Sequence, residues 1–228
     1  MHYTFSGNVK DESGNKNNPG DNNTKLTEDR FGNPKSACHF NGKSSYIRIK
    51  DASSLHTGDQ ISMCAWIKPI GFYKGKCHAS SIFSKGKSGG RTDYFLFFDD
   101  NVYRHDGNCN AKVDVEHQNY YGTGMTDSSY KPYSPYVKLM EWVSVIYTYD
   151  GTIVRIYIGC DLVKSYEASS VYFTNTWDLF IGKNDSEQNP YWLNADLDDV
   201  RIYDRALNFD EVKAIAGCNT TTTPSGAK

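Results

Sequence analysis

"LDDVRIYDRALNFDEV", residues 197–212, changes period in the middle. Up to Tyr203 the apolar residues alternate, which is the two-residue repeat of a strand. From Leu207 the spacing becomes helical: Leu207, Val212 and Ile215 share one side, Asn208 is placed as N-cap, and Glu211 three residues on completes a capping box. Gly217 stands near the helix end. The strand carries two adjacent acids, Asp198 and Asp199. A half-buried charge costs free energy unless something pairs with it. Adjacent strand residues point to opposite faces, so at most one of the two is expected to serve as a ligand. The plain alternative is that one faces solvent and the other pairs with Arg201 or a lysine across the sheet.

The rest of the chain is written in the same strand language. "HYTFSG" opens it, and "SACHFNGKSSYIRIK" predicts a hairpin turning near Asn41-Gly42. "ISMCAWIKPI", "SSIFSKG" and "DYFLFFDD" are further strands. "WVSVIYTYDGTIVRIYIGCDLVKSYEA" gives three strands with turns at Asp150-Gly151 and Gly159-Cys160, and "DLFIGKN" adds another. Many short strands with one terminal helix predict an all-β fold, a two-sheet antiparallel β-sandwich with one short C-terminal helix and roughly five to seven strands per sheet. Residues 1–218 are expected to form one domain. The Thr-rich end, 219–228, reads as a polar tail or linker toward further domains.

Composition excludes several classes. The net charge of −2 gives no field that would draw nucleic acid. No run of about 18 apolar residues exists, so no membrane insertion is expected. Met1-His2-Tyr3 leads straight into a strand, so no signal peptide is read there; an export signal is expected to have been lost ahead of it. The six cysteines form no C-x-x-C pair, which argues against a zinc knuckle, and their even number suits disulfides in an oxidising compartment. Cys64, inside an apolar strand, reads as a buried free thiol; Cys77 and Cys109, in polar loops, are the pair expected to bridge.

The stretches "YTFSGNVKDESGNKNN", "RFGNPKSACHFNGKSSYIRI", "ISMCAWIKP", "SIFSKG", "LFIGK" and "LDDVRIYDRALNFDEVKAI" together resemble the laminin-G-like jelly-roll family of the concanavalin A-like lectin/glucanase superfamily, in family order from Tyr3 to about Gly217. The resemblance implies that the first and last strands lie side by side. It also implies a structural calcium ion where the polar loop after the first strand meets the last strand. The residues matching that pattern are Asp11 and Asp198, with Asn15 and its neighbours adding oxygens. Calcium takes six to eight oxygen ligands, and a loop rich in Asp, Asn, Ser and Gly can supply them.

Functionally, the resemblance implies a non-catalytic, secreted or surface-displayed binding module, part of a larger protein, with a glycan or cell-surface glycoprotein as partner. The segment from Val102 to Lys138 departs from the family pattern. Its tyrosines, Tyr120, Tyr121, Tyr130, Tyr133 and Tyr136, are expected to form a recognition rim, joined by Trp192 and by Arg91 and Asp93 for polar contacts. The same tyrosines could instead pack a small core beneath the insertion. Trp66 and Trp142 read as packing residues. Two alternatives remain open: a protein-binding adhesion module using the same rim, and a glycoside hydrolase or lyase using Asp114 and Glu116, whose D-x-E spacing puts both on one strand face.

Overall fold

The computed structural model describes residues 1–73, 80–86, 92–99, 112–117, 137–167, 175–188 and 190–218. With strands numbered in chain order, one sheet runs β12 (Asp161–Glu167), β11 (Ile153–Ile158), β10 (Val143–Tyr149), β6 (Ile61–Gly71), β14 (Asn194–Tyr203), β4 (Ala37–Asn41) and β3 (Lys25–Thr27). β1 (His2–Tyr3) also pairs with β14. The other sheet runs β2 (Asp21–Asn22), β5 (Ile47–Ile49), β13 (Leu179–Ile181), β7 (Ser80–Gly86), β8 (Thr92–Asp99) and β9 (Lys112–His117). Every pairing among these strands is antiparallel.

Alternation decides which side chains meet between the sheets. In β10, Val145, Tyr147 and Tyr149 enter the main core with Tyr3, Phe5, Phe40 and Phe83. Ile146 points the other way and joins Cys64 and Tyr157 in a second cluster beneath helix α1 (Phe209–Ile215). Both faces of β10 are covered there, so its sequence is nearly continuously apolar. The capping box forms as expected: the Asn208 side chain accepts from the backbone of Asp210 and Glu211, and the Glu211 carboxylate accepts from Asn208 N. Leu207, Val212 and Ala216 bury the inner side of the helix. Burying each of the two larger side chains contributes about 1.5–3 kcal/mol.

The opening and closing strands are neighbours, with His2 opposite Arg201 and Tyr3 opposite Val200. Cys64 is a buried free thiol, as expected, and so is Cys38. A disulfide joins Cys160, in the β11–β12 turn, to Cys218 beyond the helix.

The hairpin expected at Asn41-Gly42 does not form. β4 pairs with β3 and β14, whereas β5 pairs with β2 and β13 in the opposite sheet. Asn41 Oδ1 accepts from the backbone of Lys43, Ser44 and Ser45, and Gly42 N donates to Leu193 O. These bonds turn the chain over the edge of the sandwich, and residues 42–46 are long enough to cross the roughly 10 Å between sheets. The segment after Val102 also contains β9, a strand that periodicity did not single out.

Candidate functional site

The two acids of β14 sit on a β-bulge. Asp198 lies opposite Trp66 and Arg201 opposite Cys64, so Asp199 and Val200 together face the single residue Ala65. Asp199 takes a left-handed φ of 49°. The bulge breaks the strict alternation of faces and lets both carboxylates reach one guanidinium. Arg30 donates from Nη1 to Asp198 Oδ2, and its Nη2 lies 3.7 Å from Asp199 Oδ2. Arg201 donates to both Asp199 oxygens at 2.8 and 2.9 Å, and His2 Nε2 lies 2.9 Å from Oδ1. Both acids are buried. Burial pushes Asp198 up to about 6, with Arg30 only partly opposing it. Burial also acts upward on Asp199, but the hydrogen bonds from His2 and Arg201 outweigh it and hold the group at about 2.

This arrangement uses the expected calcium ligands for something else. Asp11 Oδ1 accepts from His2 N at 2.8 Å and Ser13 N at 3.0 Å, and Oδ2 accepts from Asn17 N at 2.9 Å. Desolvation is outweighed by these amides, which hold Asp11 below the usual carboxylate range. Asn15 is exposed on the same loop. Among the described residues no group of three or more His, Cys, Asp or Glu side chains is placed to hold a metal ion. Asp11 is engaged by amides and Asp198 by an arginine. His2 joins the chain ends instead, its backbone on Asp11 and its ring on Asp199.

The outer face of the six-stranded sheet carries a different kind of cluster. Register aligns Arg48, Phe180 and Ser84 in one row across β5, β13 and β7. Immediately after β13, Gly182 turns the chain at φ +87°, where an added Cβ would lie 2.2 Å from the Phe40 ring. Only glycine fits so close an approach. The turn sets Lys183 among three rings, with Nζ 4.8 Å from the centroid of Phe180, 5.3 Å from Trp192 and 5.4 Å from Tyr46. Tyr46 in turn packs against Trp192 and Phe180, with centroids 6.2 and 6.0 Å apart. Desolvation lowers the Lys183 pKa and Arg48 adds to it, opposed by Asp185 and Glu187. Beside this cluster lies a groove of about 440 Å³, lined by Tyr46, Arg48, Trp177, Asp178, Phe180 and Lys183 among others. Arg48 Nε donates to Asp178 at 2.6 Å and Nη1 to Asp21 at 3.1 Å.

Beneath the groove wall a lysine is completely buried. Lys85 Nζ donates to Asp51 Oδ1 at 2.6 Å, Trp177 O at 2.8 Å, Asn175 O at 3.1 Å and Asn175 Oδ1 at 3.2 Å. Asp51 N donates to Asp178 Oδ1 at 2.9 Å. The ammonium thus ties residues 175–178 to the end of β5.

A larger groove of about 630 Å³ lies on the other side of the molecule beside α1, lined by Arg30, Phe31, Trp66, Trp142, Arg201 and Ile215 among others. Its size does not make it the better candidate. Its arginines are engaged by Asp198 and Asp199, whereas the smaller groove holds, besides the paired Arg48, Lys183, which among the described residues has no carboxylate within ion-pair distance. Trp66 donates its indole N–H to Ile215 O at 3.0 Å and so supports the helix, as expected of a packing residue.

Of the ligand residues expected from sequence, Trp192 belongs to the Tyr46 cluster. Asp93 lies in β8, at the irregularity opposite Lys85 and Gly86. Tyr120, Tyr121, Tyr130, Tyr133, Tyr136 and Arg91 lie outside the described residues, as does the expected Cys77–Cys109 bridge. Asp114 and Glu116 lie on β9, in register with Phe97 and Phe95. The sequence reading missed Tyr46, Phe180 and Lys183. Tyr46 and Phe180 read as ordinary strand residues, and only the glycine after "LFI" hinted at the turn that gathers them.

Three solved structures share the fold at low identity. Domain 4 of AbnA, a GH43 extracellular arabinanase from Geobacillus stearothermophilus, solved in complex with arabinotriose, is 19% identical with a TM-score of 0.64, covering 94% of this chain and 96% of that one. The binding domain of Paraclostridial Mosquitocidal Protein 1 is 16% identical with a TM-score of 0.60, covering 92% and 49%. A putative carbohydrate binding protein from Bacteroides ovatus is 16% identical with a TM-score of 0.57, covering 78% and 45%. No curated protein matches the chain. The family model described as Concanavalin A-like lectin/glucanases superfamily matches residues 41–213, most of the sandwich, and the chain belongs to that superfamily.

Proposed function

We propose that this chain is a non-catalytic carbohydrate-binding module of a secreted or surface-displayed protein, and that the groove beside Tyr46, Phe180, Lys183 and Trp192 is its saccharide site. The observation that carries this reading is the aromatic trio around Lys183 next to the Arg48–Asp178 pair. Aromatic faces suit the apolar side of a sugar ring, and a bidentate-capable arginine and a carboxylate suit its hydroxyls. A volume of about 440 Å³ is within the range of small-ligand sites, roughly 300–1,000 Å³. Superfamily membership and the arabinotriose held by the AbnA domain support the same class of ligand. The disulfide favours an oxidising compartment.

A glycan array followed by calorimetry tests the reading. Trp192→Ala and Tyr46→Ala are expected to lower saccharide affinity at least tenfold while circular dichroism stays that of the parent chain. A silent array, or affinities unchanged in both variants, refutes the site. The alternative of catalysis rests on one observation, the placement of Asp114 and Glu116 two residues apart on one strand. Sugar release that disappears in Glu116→Gln would establish it.

We further propose that the joint between the chain ends needs no calcium at Asp11 and Asp198. Amide donors already occupy Asp11, and Arg30 already pairs with Asp198.

A further inference from the structure

Resting on the groove as a saccharide site, we infer that it selects a sugar unit carrying an anionic group, carboxylate or sulfate, and that Lys183 Nζ receives that group. Cations lining the groove differ in how they are satisfied. Arg48 pairs through Nε with Asp178 and through Nη1 with Asp21. Lys183, among the described residues, has no carboxylate within ion-pair distance. Its contacts are three ring faces at 4.8–5.4 Å. Ring faces hold an ammonium in position but supply no hydrogen-bond acceptor along its three N–H directions.

The ammonium is also half-buried, so part of its hydration has been given up on folding. A neutral hydroxyl would fill one N–H direction and leave the charge uncompensated. An anionic oxygen fills it with a charge-assisted bond, roughly twice as strong as a neutral one. Asp185 and Glu187 contribute to the field at Lys183 from beyond contact, and they disfavour an anion placed on their side. Asp185 itself lines the groove, so the anion is directed to the part of the groove on the Arg48 side of Nζ, away from Asp185. There the sugar ring attached to it would lie against Tyr46 and Trp177, which line the groove.

The test compares sugars that differ only in the charged group, using the full chain. The pairs are galacturonate against galactose oligomers, sialyllactose against lactose, and sulfated against unsulfated galactan; the arm that binds identifies the source of the anion. One acidic member is expected to bind on the order of tenfold or more tighter than its neutral counterpart at low salt. The preference should shrink as salt is raised from about 0.05 to 0.5 M. Lys183→Gln should erase the preference, bringing each acidic sugar down to the affinity of its neutral counterpart, and Lys183→Arg should retain it in part. Equal affinities within all three pairs, or a preference that survives Lys183→Gln, overturns the inference while the saccharide site stands. Loss of every sugar in the parent chain refutes the underlying site instead.

Discussion

Replacing Lys85 by methionine exposes how the groove wall is held. The side chains have similar length, so the substitution removes the charge and the donors with little change in packing. Among the described residues the fully buried ammonium serves four oxygens: Asp51 Oδ1, Trp177 O, and both the backbone and side-chain oxygens of Asn175. Breaking one side of a buried ion pair costs about 3–5 kcal/mol, because the remaining charge is left uncompensated. Asp51 is 19% exposed and also lies 2.9 Å from His56 Nε2, which lowers its share of the cost. The carbonyls of residues 175 and 177 lose a donor at the same time, which raises it. We therefore expect a loss of about 3–4 kcal/mol in urea unfolding, which for a chain of this size is a fall of roughly 10 °C in Tm. The Asp51→Asn, Lys85→Met double variant should lose clearly less than the sum of the single losses, since each partner is harmful mainly without the other. A Lys85→Met variant within 1 kcal/mol of the parent would refute the assignment of the ammonium as the post of this wall.

Three further outcomes follow from other parts of the molecule. The Cys160–Cys218 bridge closes a separation of 58 residues; the double serine variant is expected to lose about 4 kcal/mol by calorimetric melt, and a loss under 1 kcal/mol defeats the assignment. Treatment with EDTA should leave the melting midpoint within about 1 °C of the untreated chain, because Arg30 and backbone amides occupy the acids that would bind calcium. Asp198, with a folded pKa of about 6 against an ordinary 3.8, binds more protons in the folded than in the unfolded state between pH 4 and 6, so its ionisation lowers stability by about 3 kcal/mol as pH rises through that window. Asp198→Asn removes this slope. Urea midpoints at pH 4 and pH 7 should show the variant gaining on the parent at the higher pH, and an unchanged difference would contradict it.

The fold was legible because its strands keep a two-residue period and its helix carries its own cap. "ISMCAWIKPI" and the three strands from residue 143 to 167 needed no partner to be recognised. The hairpin at Asn41-Gly42 failed for a physical reason. Asn-Gly specifies a tight reversal, but Asn41 instead caps three following amides, and the flanking strands bury their apolar sides in different sheets. Turn chemistry fixes that the chain bends; which sheet the next strand joins depends on contacts with β13 and β14, more than 130 residues away.

The same distance in sequence hides the candidate site. Asp198 and Asp199 stand out because a pair of charges in a strand is locally improbable, and Arg201, two residues on, is a legible partner of Asp199, whereas Arg30 and His2 could not be chosen from sequence spacing. The bulge that aims both acids at Arg30 depends on a one-residue mismatch with β6, which leaves no mark on β14 itself beyond a residue at positive φ. The groove is harder still to see. Tyr46 precedes β5, Phe180 lies in β13, and Trp192 follows a separate turn, so each alone looks like core or loop. What unites them is Gly182: a side chain there would strike Phe40, and without that turn Lys183 would not reach the rings. A recognition surface assembled from three separate segments is specified by the packing that holds those segments. The buried Lys85 and the glycine beneath the rings are therefore as much its determinants as the residues a ligand would touch.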